Sequence, residues 1–151
     1  MRHESLIVRV LSPSMSTSAV VMGEYLIPDV GSVFRGVAVK FTVQCDATVA
    51  TRSVYLTVIM RSGKDATVSV LDMLLGTMVA SETLTFQVRS GAAGEASSSW
   101  KMLPLPELYL SGGDILRVSL AGGPLTDVIG PLYLCFEAQQ TGFGDLGEIV
   151  R

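Results

Sequence analysis

Apolar and polar residues alternate along most of this chain, and this period of two is the feature that most constrains its fold. Successive side chains of a β-strand point to opposite faces, so alternation predicts strands with one buried face. The clearest segment is residues 36–44, where Val37, Val39, Phe41 and Val43 alternate with smaller or polar residues. No stretch keeps helical spacing over three or more turns, so we predict an all-β protein.

Eight segments have the length and composition of strands. They are residues 5–11, 19–25, 36–44, 53–60, 66–74, 82–89, 115–120 and 131–137, with shorter extended pieces near 32–34 and 108–110. Residues 71–80 are ambiguous, because their apolar spacing suits a short helix as well as a strand, and Gly76 predicts a break there. Residues 53–60 are apolar on both faces, which is typical of a central strand or one that lines an interface.

Glycine-rich turns separate these segments, as at residues 111–114 and 121–124. Many short strands at this spacing favour a two-sheet antiparallel β-sandwich with jelly-roll-like topology and about eight strands. An up-and-down barrel with a ligand cavity is the alternative architecture.

The length of 151 residues suits one domain. We expect a single sandwich domain over residues 1–151, with a flexible N-terminal segment at 1–5 and a glycine-rich flexible tail at 139–151. Residues 90–99 form a low-complexity loop of small residues with Trp100 at its exit.

The composition is more apolar than that of a typical free monomer, with 48% apolar and 17% charged residues and a mean hydropathy of +0.47. The longest charge-free stretch, residues 10–23, is interrupted by Pro13 and hydroxyl residues and falls short of the roughly 20 apolar residues of a spanning helix. We therefore expect no membrane segment, and the lack of a secretory signal predicts synthesis in the cytoplasm. Surplus apolar surface then predicts contacts with other chains, and we expect a homo-oligomer with a trimer favoured.

The net charge of −3 and the pI near 5.0 argue against a nucleic-acid partner, because phosphate binding needs clustered Lys and Arg. The balance is uneven, with seven basic and four acidic residues up to Lys64, and four basic and ten acidic residues from Asp65 onward. Either intermingled strands erase this asymmetry, or two charged poles dock neighbours head to tail.

Few residues are available for catalysis. His3 is the single histidine and stands near the N-terminus, which disfavours a Ser-His-Asp triad, a Cys-His pair or a His-based metal centre. Two carboxylate pairs, Asp114 with Asp127 and Asp145 with Glu148, could in principle do acid–base work, although nothing in the sequence sets their separation. The alternative role for Asp114, which follows two glycines, is a hydrogen bond that closes a turn.

Two further patterns carry no chemistry. Residues 142–147 satisfy G-x-G-x-x-G, but too few residues follow for the helix of a dinucleotide site. Cys45 and Cys135 lie in alternating apolar runs and are predicted to be buried thiols rather than a disulfide. We therefore predict no enzymatic activity, no cofactor and no metal.

Residues 100–137 resemble the C-terminal part of small jelly-roll virion proteins of tailed bacteriophages. The shared elements are, in order, Trp100 with Leu103 and Pro104, a short strand at 108–110, the Gly112-Gly113-Asp114 turn, Leu116-Arg117-Val118, a loop with Asp127, and a final strand at 134–137 ending in Glu137. The resemblance implies a virion subunit that decorates or cements the capsid, or that sits at the neck, tail or fibre base.

These observations together lead to the expectation of a non-enzymatic capsid decoration or cement protein. It would be assembled in the host cytoplasm, reside in the virion, and bind the major capsid protein or other virion proteins, with neither nucleic acid nor membrane as a partner. A carbohydrate- or receptor-binding module, with Trp100 and Tyr109 as a stacking platform, is the alternative. The predicted interface residues are Arg2, His3, Tyr55, Trp100, Tyr109, Phe143 and Ile149.

Overall fold

A computed structural model of the chain describes residues 5–12, 21–27, 33–62, 66–124 and 126–139. The regular elements within these ranges are all strands. They are β1 (Ser5–Ser12), β2 (Val21–Leu26), β3 (Val33–Gln44), β4 (Arg52–Ser62), β5 (Ala66–Met78), β6 (Thr83–Ser90), β7 (Glu95–Ala96), β8 (Trp100–Leu105), β9 (Tyr109–Leu110), β10 (Ile115–Ala121), β11 (Val128–Ile129) and β12 (Leu132–Gln139).

The strands form two sheets that pack face to face. Sheet A has the order β1-β12-β3-β6-β8-β7, with β9 and β11 also paired to β3, and sheet B has the order β2-β10-β4-β5. Without the four strands β7, β8, β9 and β11, the chain pairs its first strand with its last, its second with its seventh, its third with its sixth and its fourth with its fifth. This nested pairing is the jelly-roll arrangement, and it confirms the predicted all-β sandwich, with more strands than the predicted eight.

The core lies between the sheets and consists of the inward half of each alternating pattern. Val54, Leu56 and Val58 of β4 have no exposed surface, and Phe41 of β3 stacks on Phe86 of β6. Since β4 lies between β10 and β5, the prediction of a central strand at residues 53–60 is confirmed.

The strand β8 and its partner β7 were not predicted. β8 runs parallel to β6. The prediction of purely antiparallel sheets is therefore wrong for this pair of strands. The alternation of β8 is obscured in the sequence by Pro104 and by the adjacent low-complexity loop. It is also obscured by Lys101, because this charged residue occupies the same inward phase as the apolar Leu103 and Leu105.

The ambiguous stretch at residues 71–80 is a strand as far as Met78, and the break predicted at Gly76 does not occur. The register of β4 against β5 shifts so that Leu75 is the extra residue of a bulge. A methyl group at Gly76 would lie 2.8 Å from the Lys101 ammonium nitrogen, so this glycine leaves room for a side chain that crosses from sheet A.

Among the described strands, the two charged halves of the sequence are intermingled. In sheet A, β3 lies between β12 and β6, and in sheet B, β4 lies between β10 and β5. Strands from both halves are therefore neighbours, which is the intermingled alternative.

Candidate functional site

The outer face of sheet B carries two rows of apolar residues. Leu26, Ile115 and Ile59 form one row across β2, β10 and β4, and Tyr55 and Leu74 form a second row with Ser119. Leu26 is 56% exposed and Leu74 is 53% exposed. The outer face of sheet B consists of these two rows and of the polar row between them.

A polar row separates the two apolar rows. Arg117 of β10 donates from Nε to Glu24 of β2 at 2.6 Å, and Thr57 of β4 donates to Asp72 of β5 at 3.0 Å. Each of these charged or polar groups already has a partner within the chain. Another protein could therefore cover this face without supplying a counter-charge to the row.

The outer face of sheet A is more polar and contains a groove of about 370 Å³. Its walls are Thr85 and Gln87 of β6, Trp100 and Met102 of β8, and Ser99. The parallel register brings these residues together, since Thr85 lies beside Trp100 and Gln87 lies beside Met102.

Hydrogen bonds fix the groove before any ligand binds. The hydroxyl groups of Thr85 and Thr42 are 2.9 Å apart, and the Thr85 amide donates to the Ser99 carbonyl at 3.0 Å. The Ser97 amide donates to the Trp100 carbonyl at 2.8 Å, which closes the turn that leads into β8.

Tyr109 does not share a platform with Trp100. Trp100 pairs through Thr85 to Thr42 of β3, whereas Tyr109 pairs with Arg35 of the same strand. Thr42 and Arg35 are separated by about 23 Å along a strand at the usual rise per residue, so the two aromatic side chains cannot stack on one small ligand.

The Tyr109 hydroxyl has a local partner instead. It donates to the Glu107 carboxylate at 2.7 Å, and this hydrogen bond raises the pKa of Tyr109. The side chain is 42% exposed at the surface of sheet A.

A charged cluster inside the sandwich joins the two sheets. Arg52 of β4 has no exposed surface and donates from Nε to Asp127 at 2.9 Å and from Nη2 to Asp46 at 3.0 Å. Its Nη1 group donates to the carbonyls of Thr48 and Ala50 at 2.9 and 2.6 Å. Asp127 also accepts the Asp46 amide at 2.8 Å, so one guanidinium connects two loops, the one between β3 and β4 and the one between β10 and β11.

The cluster shifts the titration of the groups around it. A hydrogen bond from the Thr126 hydroxyl, followed by one from the Thr48 amide, lowers the pKa of Asp46. Hydrogen bonding to Asp127 raises the pKa of Arg52, and burial, followed by the Asp127 charge, raises the pKa of the Cys45 thiol. Cys45 and Cys135 are both free thiols, with Cys45 buried and Cys135 partly exposed.

Space for the cluster depends on Gly123. A methyl group there would press against Oδ2 of Asp127 and lie 2.7 and 2.8 Å from Cγ and Nε of Arg52. Arg52 was not among the predicted functional residues. Its signal in the sequence is its phase, because Arg52 holds the same inward position in β4 as Val54 and Leu56.

The candidate acidic pair of Asp114 and Asp127 is not formed. Asp114 precedes β10 and accepts the Ser111 amide at 2.9 Å, which is the turn-closing role. Asp127 lies beyond the other end of β10, about 20 Å away for a strand of this length, and is bound to Arg52.

The predicted interface residues fall on different surfaces. Tyr55 lies on the outer face of sheet B, whereas Trp100 and Tyr109 lie on sheet A. Ser5 and Gln139 stand at the inner ends of the segments predicted to be flexible, 1–5 and 139–151. They pair with each other as parts of β1 and β12. The remaining predicted groups lie outside the described residues: Arg2, His3, Phe143, Ile149, the pair Asp145 with Glu148, and the pattern at 142–147.

The described residues contain neither a metal-binding cluster nor a membrane-spanning helix. Within those ranges, no group of three or more His, Cys, Asp or Glu side chains is placed to hold a metal ion. Over the same part of the chain, no helix has the length and apolarity needed to cross a bilayer.

Comparison of the chain with protein-family models, curated proteins and solved structures finds no match. The fold defines the class of the protein as an all-β jelly-roll sandwich.

Proposed function

We propose that this chain is a non-enzymatic structural protein of a bacteriophage virion, and that it decorates or cements the capsid shell as a homo-oligomer, with a trimer favoured. The observation that carries the assembly part is the outer face of sheet B. The virion part depends on the resemblance of residues 100–137 to small jelly-roll virion proteins.

The outer face of sheet B supports assembly because two of its apolar side chains are largely uncovered within the described chain. Leu26 and Leu74 are each more than half exposed, and they flank partly buried Ile115, Ile59 and Tyr55 on a regular sheet surface. Exposed apolar side chains on a sheet face, here in two rows around one polar row, favour protein contacts, and each buried side chain would contribute on the order of 1 kcal/mol.

The residues that carry the resemblance have structural roles in the sandwich. Leu116 and Val118 are buried in β10, and Leu134 and Phe136 are buried in β12. The Gly112-Gly113-Asp114 segment forms the turn before β10. These roles are compatible with a shared scaffold, and the virion role is proposed from the sequence resemblance alone.

The assembly test is the mass in solution of the full chain by light scattering. We expect a multiple of the 16.0 kDa chain mass, reduced to the monomer in Leu26→Lys/Leu74→Lys. The matched control is Tyr133→Lys, which places the same charge on a residue 55% exposed on sheet A and should leave the mass unchanged. A monomeric wild type, or an oligomer that both double and control variants preserve, would overturn assembly through this face.

The virion test is co-sedimentation with phage heads from the same source. We expect the chain to pellet with the heads at a fixed copy ratio, and the Leu26→Lys/Leu74→Lys variant to bind less. A chain that stays in the supernatant with heads, tails and whole particles would contradict a virion role.

A further inference from the structure

The groove on the outer face of sheet A is not used by the proposed assembly. Sheet B carries the apolar outer face, and the groove lies on the opposite side of the sandwich. Both surfaces can therefore be occupied at once.

The side chains of the groove combine an apolar surface with neutral hydrogen-bonding groups. Trp100 and Met102 supply an indole and a thioether, and Thr85, Ser99 and Gln87 supply two hydroxyls and an amide. An amide and a hydroxyl can each donate and accept. This matches a ring that has one face of C–H groups and a rim of hydroxyl groups.

The charge around the groove disfavours an ionic ligand. None of the five lining side chains is charged. At its rim, Lys40 lies beside Gln87 and Glu95 lies beside Met102 in the strand register. Arg89 follows two residues after Gln87 on the same face of β6, so the rim carries charges of both signs. A charged ligand would lose hydration here without gaining a buried partner.

The size and rigidity of the groove fit a small ligand. Its volume of about 370 Å³ is near the lower end of the range for small-molecule pockets, which suits one or two sugar rings. The hydrogen bonds from Thr85 to Thr42 and to Ser99 hold the walls in place, so little ordering has to accompany binding.

We propose that this groove binds a neutral carbohydrate, with one pyranose ring stacked on Trp100 and its hydroxyl groups bonded to Gln87 and the neighbouring hydroxyls. This goes beyond the assembly role and does not depend on it. Recognition of a surface glycan would be a second function of the same chain.

The test uses Trp100 itself, since it is the single tryptophan of the chain and its fluorescence reports on the groove alone. The probes are maltose, cellobiose, lactose and chitobiose, with sialyllactose as the charged comparator, and calorimetry supplies affinities for variants that lack the indole. We expect a saturable change in emission with at least one neutral disaccharide and weaker binding of sialyllactose.

Three variants separate a binding role from a structural one. Trp100→Ala should abolish binding, and Gln87→Ala should weaken it about tenfold, as for the loss of one or two hydrogen bonds. Tyr109→Ala removes an aromatic side chain about 23 Å away along the sheet and should bind as the wild type does. If Trp100→Ala fails to fold, Gln87→Ala still tests the groove, because Gln87 points away from the core.

The proposal is overturned if no neutral disaccharide saturates the signal, or if Trp100→Ala binds as well as the wild type. It is also overturned if Trp100→Ala changes the oligomeric mass, because the groove would then hold a protein segment. Loss of assembly in Leu26→Lys/Leu74→Lys with sugar binding intact would support both proposals separately.

Discussion

At the residue scale, the cluster of Arg52, Asp127 and Asp46 is the most densely hydrogen-bonded group of side chains described above. A guanidinium without exposed surface is held by two carboxylates and two carbonyls. Removing one partner of such a group leaves a buried charge without full compensation, which costs more than the pair contributes.

The carboxylate of Asp127 should therefore be essential for stability. We expect Asp127→Asn to lower the free energy of unfolding by about 3 kcal/mol, near the lower end for a broken buried pair because Asp46 remains. The matched control is Glu137→Gln, which breaks the Arg35–Glu137 pair at 3.1 Å with side chains 34% and 26% exposed, and should cost less than about 1 kcal/mol. Urea denaturation measures both, and equal costs would contradict this account.

The lowered pKa of Asp46 predicts acid sensitivity. Since its folded pKa lies below its unfolded value, the unfolded state binds more protons between the two, and stability falls as pH falls through this window. We expect Asp46→Asn to be less stable than the wild type near neutral pH, with the difference narrowing below about pH 4. Urea midpoints across this pH range measure the difference, and a constant gap would show that the charge of Asp46 is not the cause.

The two thiols should differ in reactivity. Burial and the nearby Asp127 raise the pKa of Cys45, so little thiolate forms at mildly alkaline pH, whereas Cys135 is partly exposed. A thiol-reactive disulfide reagent should modify one thiol quickly in the native chain and two after unfolding. Cys135→Ser should remove the fast phase, and a fast phase that persists in this variant would refute the assignment.

At the element scale, β8 is weakly attached near the edge of sheet A. It pairs in parallel with β6, its other side contacts only the two-residue β7, and Pro104 has no amide hydrogen to donate. By contrast, β3 pairs with β12 and then β11 on one side, and with β9 and then β6 on the other.

Hydrogen exchange should follow this difference. We expect amides of β3 around Phe41 and Val43 to exchange orders of magnitude more slowly than those of β7 and β8, because edge elements open without global unfolding. Exchange read by mass spectrometry on peptides from these strands measures it. Equal protection would mean that β8 opens only together with the whole sandwich.

At the scale of the whole molecule, association through the outer face of sheet B should be insensitive to salt. Its ion pair of Arg117 with Glu24 is already formed within the chain, and the described strands of the two charged halves are intermingled. We expect the mass by light scattering to stay constant between about 0.05 and about 0.5 M NaCl, over which exposed charges become strongly screened. Dissociation as salt rises would instead favour docking through opposite charges.

The sequence alone was sufficient for the class of fold and for the inward face of β3. The alternation there identified Val39, Phe41 and Val43 as core, because side-chain direction in a strand is a local property of the backbone. The turn role of Asp114 was predictable for the same reason, since its partner Ser111 is three residues away. In β4 the apolar residues on both faces left the inward face open.

The tertiary structure alone decided the features that depend on which strands become neighbours. Arg52 meets Asp127 across 75 residues, the parallel register of β6 and β8 places Thr85 beside Trp100, and β10 separates Asp114 from Asp127. No local pattern encodes these distances, because they are set when distant segments pair and bury their common faces. The periodicity of the chain therefore determined that it forms a sandwich, and only the nested pairing of its strands decided where its charged cluster, apolar face and groove lie.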